Sequence, residues 1–252
     1  MQFTDIQVRQ FAYAGESFEL WHYPSDASVK GSLIEIVIRD EYRLSRFRGL
    51  VGEVLLDVGA NNGLVTLILA KLNPASTIVA VEPIRELCDL LERNLSANQI
   101  GNVRVVRKAL HGDNQGVRLY VSNMCSGASS THVQNEASFD ALASTLDERL
   151  VDSITFDELV TEHAPGGVVY LLKIDCEGGE FHLPSSHRFL NLDVRFIEGE
   201  FHETAYGETR DGAAAALFDV VKGVVREEAC VTVLQHHAGC LNSFKLHHRN
   251  EG

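Results

Sequence analysis

Residues Leu55–Val65, LLDVGANNGLV, followed by Val79–Pro83, VAVEP, constrain this chain more than any other feature. An apolar run ends in Asp57, and a turn of small residues (Gly59, Ala60, Asn61, Gly63) opens a new apolar-periodic stretch. Roughly twenty residues after the turn, a second apolar run ends in Glu82. This is the layout of a nucleotide-type site at the end of a first βαβ unit. Small residues let the backbone approach a ligand closely. A carboxylate ending the second strand can accept hydrogen bonds from both hydroxyls of a ribose. A dinucleotide fingerprint, G-x-G-x-x-G, would need glycine where Asn61 stands and again at its third position. The phosphate loop G-x-x-x-x-G-K-[ST] is also absent. A D-x-G-x-x-x-G turn with a separate acidic ribose binder suits S-adenosylmethionine, which has a ribose but no phosphates.

The pattern along the chain alternates. QVRQF and SFELWHY read as short strands, and residues 32–48 carry apolar positions at helical spacing. Strand one is EVLLDVG, and a helix from about Gly63 to Leu72 is stopped by Asn73-Pro74. TIVAVEP is strand two and RELCDLLERNLSANQ helix two. VRVVRKAL is strand three, and VRLYVS is a further strand after the Gly112–Gly116 turn. Residues 122–150 read as a loop or lid. The helix DELVTEHA, strand four (VVYLLKID) and strand five (VRFIEGEF) follow. GAAAALFDVVKGV reads as a helix, and ACVTVLQHH and LNSFKLHH as closing strands. Strands alternating with helices predict a parallel sheet with helices on both faces.

Four segments resemble the FkbM family of S-adenosylmethionine-dependent methyltransferases, over about Glu35 to Glu203. They are LLDVGANNGLVTL, VVRKALHGDNQG, DSITFDELV and LLKIDCEGGEF, in the family's order and spacing. The resemblance implies a Rossmann-like class I methyltransferase fold: an α/β protein with a mostly parallel seven-stranded sheet and an antiparallel last strand. Residues 1–50 would be an N-terminal extension of strands and helix capping the cofactor site, and residues 51–252 the methyltransferase domain. It also implies transfer of a methyl group to a hydroxyl of a small metabolite (sugar, polyketide or peptide natural product), with S-adenosylhomocysteine as product. Cys176 and Gly179 stand where the family more often has an aliphatic residue and alanine.

In an open parallel sheet, ligands sit beyond the carboxyl ends of the strands where strand order reverses. Asp57 and the turn Gly59, Ala60, Asn61 and Gly63 would bind the methionine portion and the ribose edge. Glu82 would take the ribose; Pro83, with Ile84, would pack on the adenine. By the resemblance, Ala109 and Leu110 neighbour the adenine and Asp175 lies nearest the transferred methyl. Asp175 could bind the methionine amine or accept the acceptor's proton. Lys173, two residues earlier, projects to the same side of the strand. Glu177 and Glu180 would share one face if a helical turn begins there. Of eleven histidines the best-placed are His202, just past strand five, and His182, just past the E-G-G-E turn. Trp21, Tyr23, Tyr42 and Tyr206 are candidate pocket walls. No metal site is predicted, although Asp175, Glu177, Glu200 and His202 could supply ligands to a divalent ion.

Rival readings are N- or carboxyl-methylation, or an S-adenosylmethionine-binding module without transferase activity. The net charge of -13 argues against a nucleic-acid partner, which needs a basic face. No apolar run reaches the roughly 18 residues of a membrane span, so no membrane partner is expected. Five scattered cysteines without C-x-x-C spacing fit a reduced, cytoplasmic protein. A homodimer is left open.

Overall fold

The structure is a computed structural model that describes residues 5–122, 125–129, 146–164, 166–191, 193–202, 231–238 and 241–248. Its frame is a seven-stranded sheet. The strands that belong to it are β3 (Val51–Val58), β4 (Ala75–Val81), β5 (Val103–Val106), β10 (Val168–Ile174), β11 (Asp193–His202), β12 (Val231–Ala238) and β13 (Leu241–His248). The order across the sheet is β12-β13-β11-β10-β3-β4-β5. All neighbours pair in parallel except β13, which runs antiparallel to both β11 and β12. This is the expected Rossmann-like class I methyltransferase architecture. Strand order reverses between β3 and β10, so the crevice for a ligand lies at their carboxyl ends.

The central strands are apolar on both faces because both faces are covered. Leu55, Ile78, Ala80 and Leu171 face helix α2 (Leu64–Leu72) and the N-terminal segment. Leu56, Val58, Val79, Val81, Leu172 and Ile174 face the other way, onto Leu159, Val160 and Phe189. Helices α3 (Arg85–Ala97), α4 (Phe156–His163) and α5 (His187–Asn191) complete the described layers. Thr155 and Glu158 close a reciprocal capping box at the start of α4.

Before the sheet comes a hairpin, β1 (Gln7–Tyr13) with β2 (Glu16–His22), turned at Ala14-Gly15, both with positive φ. Two asparagines one turn apart, Asn94 on α3 and Asn98 at its carboxyl cap, clamp the outer edge of β2. Asn94 accepts from Trp21 N at 2.6 Å and donates to Trp21 O at 3.0 Å. Asn98 accepts from Glu19 N at 3.0 Å and donates to Glu19 O at 2.7 Å. Residues i and i+4 of a helix advance about 6 Å, and i and i+2 of a strand about 6.8 Å. The two spacings nearly match, so side-chain amides stand in for a missing strand.

Several expected boundaries are corrected. A helix over 32–48 is not formed: helix α1 (Ser28–Ser32) continues as a π-helical turn over Leu33–Ile38 and stops. Beyond it the Asp40 carboxylate accepts from Leu44 N at 2.9 Å and Ser45 Oγ at 2.8 Å, offering the backbone a turn instead of a helix. Strand three is split, because Ala109–Leu110 (β6) leaves the main sheet to pair with Ser153–Ile154 (β9). Part of the expected loop over 122–150 is strand: β8 (Leu146–Val151) pairs antiparallel with β7 (Val117–Ser122). Glu198 to His202 lie within β11, not after it. The predicted helix GAAAALFDVVKGV lies outside the described residues. Among the described residues, no helix is long and apolar enough to cross a membrane.

Asn94 is fully buried and also donates to Asn62 O at 2.9 Å. Asn94→Ala is expected to cost about 2 kcal/mol by stranding buried backbone groups. A thermal melt should then fall by about 4–8 °C, and limited proteolysis should cut first near the hairpin. An unchanged melt and cleavage pattern would show that the amide clamp holds nothing.

Candidate functional site

The turn after β3 abuts the loop after β10. Gly59 has φ +80°, and a Cβ there would lie 1.8 Å from the Asp175 carbonyl oxygen. Only glycine fits such an approach. Gly59 N and Ala60 N both donate to Val81 O at 3.0 Å, which ties the turn to the end of β4. Asn61, also left-handed, donates its backbone N–H to Glu82 Oε2 at 2.8 Å. Gly63, with φ +89°, starts α2 against Leu91 of α3.

Glu82 is buried, and its Oε1 accepts from Ile84 N at 2.9 Å. Burial pushes its carboxyl up to about 7, against the pull of the Ile84 and Asn61 amides and of Lys173. Lys173 and Asp57 are register partners on adjacent strands, with Nζ 3.2 Å from Asp57 Oδ1. Lys173 also donates to Gly59 O at 2.8 Å, and Thr66 Oγ1 to Asp57 Oδ2 at 2.5 Å. Burial alone would lower the Lys173 ammonium, but Asp57 and Asp175 outweigh it and hold it raised.

Asp175 donates its backbone N–H to Val58 O at 3.1 Å, and its Oδ2 accepts from the Tyr42 hydroxyl at 2.9 Å. The next residues correct an expectation. Glu177 has φ +53° and Gly178 φ +115°, and the 3-10 turn starts only at Gly179. Glu177 and Glu180 therefore do not share a helical face. Glu180 is fully buried and turns back, accepting from Gly178 N at 2.8 Å and from Cys176 Sγ at 3.5 Å. Gly179 is needed where the family more often has alanine: a Cβ would lie 2.7 Å from Leu110 O.

These loops enclose a cavity of about 440 Å³, within the usual range for a small-molecule site. On the β4 side it is lined by Gly59, Ala60, Asn61, Glu82, Pro83, Ile84, Ala109 and Leu110. On the β10–β11 side it is lined by Lys173, Asp175, Glu177 and Glu200, with Glu35, Glu41 and Tyr42 from the N-terminal segment. Asp57, Gly63 and Glu180 support the walls without lining them. His202 ends β11, and its side chain lies outside the described residues, as does Tyr206. Trp21 instead stacks under Arg93, and Tyr23 reaches Glu86 O at 3.4 Å.

Sequence reasoning missed two contributors. Leu119 lines the cavity and packs with Ile84, Leu87 and Val121; the alternation in VRLYVS was its one signal. Ser126 donates its hydroxyl to Asn61 Oδ1 at 3.1 Å and its backbone N–H to Asp26 Oδ1, also at 3.1 Å. No motif marks it. Tyr42 was legible as an aromatic wall, but not as a hydroxyl on Asp175. Among the described residues, no three of His, Cys, Asp and Glu converge as a metal site.

A family model of the methyltransferase FkbM domain matches residues 57–226. The chain belongs to the FkbM methyltransferase family. No curated protein matches it by sequence. Solved structures similar to this FkbM methyltransferase include an rRNA methylase from Streptococcus thermophilus, at 10% identity and TM-score 0.42 over 84% of this chain and 93% of that one. M. jannaschii TYW2 in complex with AdoMet is similar at 14% identity and TM-score 0.47, over 99% and 90%. A T. thermophilus 16S rRNA methyltransferase in complex with AdoMet and guanosine is similar at 13% and 0.44, over 96% and 49%.

One expectation is corrected by these similarities. Net charge alone argues against a nucleic-acid partner, yet rRNA methylases stand among the similar structures. The physical fault is that -13 is a sum over the whole chain. Binding is governed by charges within about a Debye length, roughly 8–10 Å, so the sum excludes no acceptor class.

The methyl donor of this FkbM methyltransferase is S-adenosylmethionine, and the cavity fits it. A backbone wall at Gly59 leaves no room for a side chain, a buried carboxylate stands at the end of β4, and Ile84 and Leu119 offer an apolar slot.

Glu82 gives this site a pH signature. As a ribose acceptor the ionised Glu82 carboxylate would take hydrogen bonds from the hydroxyls, so below about 7 binding would first have to expel a proton. S-adenosylhomocysteine affinity is expected to fall by up to about tenfold per pH unit below that point and to level off above it. Glu82→Gln should bind more weakly at pH 8 and lose the slope. Calorimetric titration between pH 5 and 8 checks this; a wild-type slope of zero sinks it.

Proposed function

We propose that this methyltransferase acts on a hydroxyl of a small metabolite, as a tailoring step on a sugar, polyketide or peptide natural product. The observation that carries the reading is the β10–β11 side of the cavity, where Asp175, Glu177 and Glu200 are gathered beside the cofactor turn. A hydroxyl must lose its proton as its oxygen attacks carbon, and a carboxylate within reach can take it.

When bound, S-adenosylmethionine supplies a methyl group on a sulfonium whose sulfur leaves as a neutral thioether. In this reading the Gly59–Gly63 turn backs the methionine portion and ribose edge, and Asp57 holds the turn through Lys173. Glu82 takes the ribose hydroxyls. Pro83, Ile84, Ala109 and Leu110 enclose the adenine. Asp175 holds the methionine amine beside the reacting sulfur. Glu177 and Glu200 flank the acceptor. The acceptor oxygen bonds to the methyl carbon in line with the breaking carbon–sulfur bond, whose electron pair goes to sulfur. The hydroxyl proton passes to one of these two carboxylates. Alignment of the two reactants supplies most of the rate, since the leaving group is already activated. Residues from within 28–42 and 125–129 wall the cavity, which fits the N-terminal segment as a cap that selects the acceptor.

The test is a screen of hydroxylated metabolites with S-adenosylmethionine, reading the methylated atom by mass spectrometry and NMR. O-methylation is expected. Glu200→Gln or Glu177→Gln should then lower kcat about a hundredfold with S-adenosylhomocysteine affinity kept. Methylation of nitrogen or a carboxylate would replace the hydroxyl reading. Binding without turnover on any acceptor class would favour a binding module.

A further inference from the structure

Tyr42 stands between the N-terminal segment and the transfer site. Its side chain is 4% exposed. Its hydroxyl donates to Asp175 Oδ2 at 2.9 Å and lies 3.5 Å from Glu200 Oε1. A hydroxyl has one proton, so the shorter contact takes it. Burial, with Asp175 and Glu200 beside it, keeps the phenol well above its ordinary value, so it stays a neutral donor.

The backbone is bent to bring it there. Asp40 and Arg43, on either side of Tyr42, both hold positive φ, at +49° and +46°. Non-glycine residues adopt this conformation at a cost and keep it where the surroundings over-determine it. Asp40 does so here. Its carboxylate accepts from the Tyr13 hydroxyl, from Leu44 N and from Ser45 Oγ. Ser45 N in turn donates to the Tyr13 hydroxyl at 2.7 Å. Strained residues cluster at functional sites, and this pair brackets Glu41 and Tyr42, both of which line the cavity.

We propose that Tyr42 is the positioning residue of the transfer site: its hydroxyl fixes the Asp175 carboxylate in the orientation that receives the amino-acid end of S-adenosylmethionine. This rests on the placement of the cofactor in the preceding subsection. A phenol donor holds one carboxylate oxygen in place and leaves the carboxylate ionised, which a cationic amine requires. The same hydroxyl reaches toward Glu200 on the acceptor side. One side chain of the N-terminal segment thereby links the two halves of the reaction.

The test compares two ligands. S-adenosylhomocysteine carries the amino-acid end, and 5′-methylthioadenosine lacks it. Tyr42→Phe keeps the ring and removes only the hydroxyl. It is expected to weaken S-adenosylhomocysteine about tenfold, as for one hydrogen bond to a charged group, and to leave 5′-methylthioadenosine within twofold. Asp175→Asn should show the same selectivity. The double variant should be no weaker than Asp175→Asn alone, because both changes break one interaction. Equal losses for both ligands would make Tyr42 a packing residue and overturn the proposal. No loss for either, or additive losses in the double variant, would overturn it as well. If Tyr42→Phe does not fold, Asp175→Asn decides: without selective loss of S-adenosylhomocysteine, no positioning of Asp175 is needed. Failure of the wild-type protein to bind either ligand would instead overturn the cofactor placement on which the inference stands.

Discussion

The ion pair of Lys173 with Asp57 organises the rest of the site. Both residues are buried, at 3% and 0% exposure, and sit side by side on the two strands where sheet order reverses. A buried charge pair contributes little net stability, but removing one partner costs about 3–5 kcal/mol because the other is left uncompensated. What the pair does is specify. Lys173 donates to Gly59 O and Thr66 to Asp57, so the pair gathers the end of β3, the Gly59–Gly63 turn and helix α2. Glu198, wholly buried, is the register partner of Lys173 on its other side. The Lys173–Asp57 pair ties β10 to β3, and Glu198 continues the same buried row on β11.

The N-terminal segment is attached by two kinds of force. Phe18, Leu20, Val29, Ile36 and Leu44 are buried in one apolar cluster with Leu55, Leu67 and Ile68, and in addition the hairpin is held along one edge by the amides of Asn94 and Asn98, and the turn after Ile38 by the Asp40 carboxylate. Polar attachments are directional. They set the angle at which a segment meets the core, which apolar packing alone does loosely. That is the property needed of a wall that presents Tyr42, Glu35 and Glu41 to the cavity.

Much of this was legible in the sequence because the core obeys simple rules. Runs such as LLDVG and VAVEP announce strands buried on both faces, and the small residues after Asp57 announce the turn. The parts that were not legible depend on contacts distant in sequence. The helix expected over 32–48 has the right apolar spacing, but a carboxylate at Asp40 captures three donors and ends it. Glu177 and Glu180 have helical spacing, but left-handed backbone at Glu177 and Gly178 separates them. The strand VRVVRKAL divides because its last two residues find a partner, β9, 44 residues on in the chain. Spacing describes a local tendency, and in each case a side-chain, strand or backbone feature that spacing does not describe overrode it.

The cavity floor, by contrast, follows from spacing once the register is known. Three segments share one form: Asp57-x-Gly59, Lys173-x-Asp175 and Glu198-x-Glu200. Residues two apart on a strand face the same side. Register aligns Asp57 with Lys173 and Lys173 with Glu198, and then Val58 with Ile174 and Ile174 with Gly199. The first row is the buried charge row. One step further along lie Gly59, Asp175 and Glu200, at the end of the sheet and on the cavity. Glycine closes that row on the cofactor side, since a Cβ at Gly59 would strike Asp175 O. Gly199 closes the strand pair in the same way, 1.8 Å from Ile174 O. With no side chain to hold the strands apart at their ends, Asp175 and Glu200 come within reach of the single hydroxyl of Tyr42. The same period of two that buries one charge row inside the sheet thus sets out the next row at its rim, where carboxylates can meet a ligand.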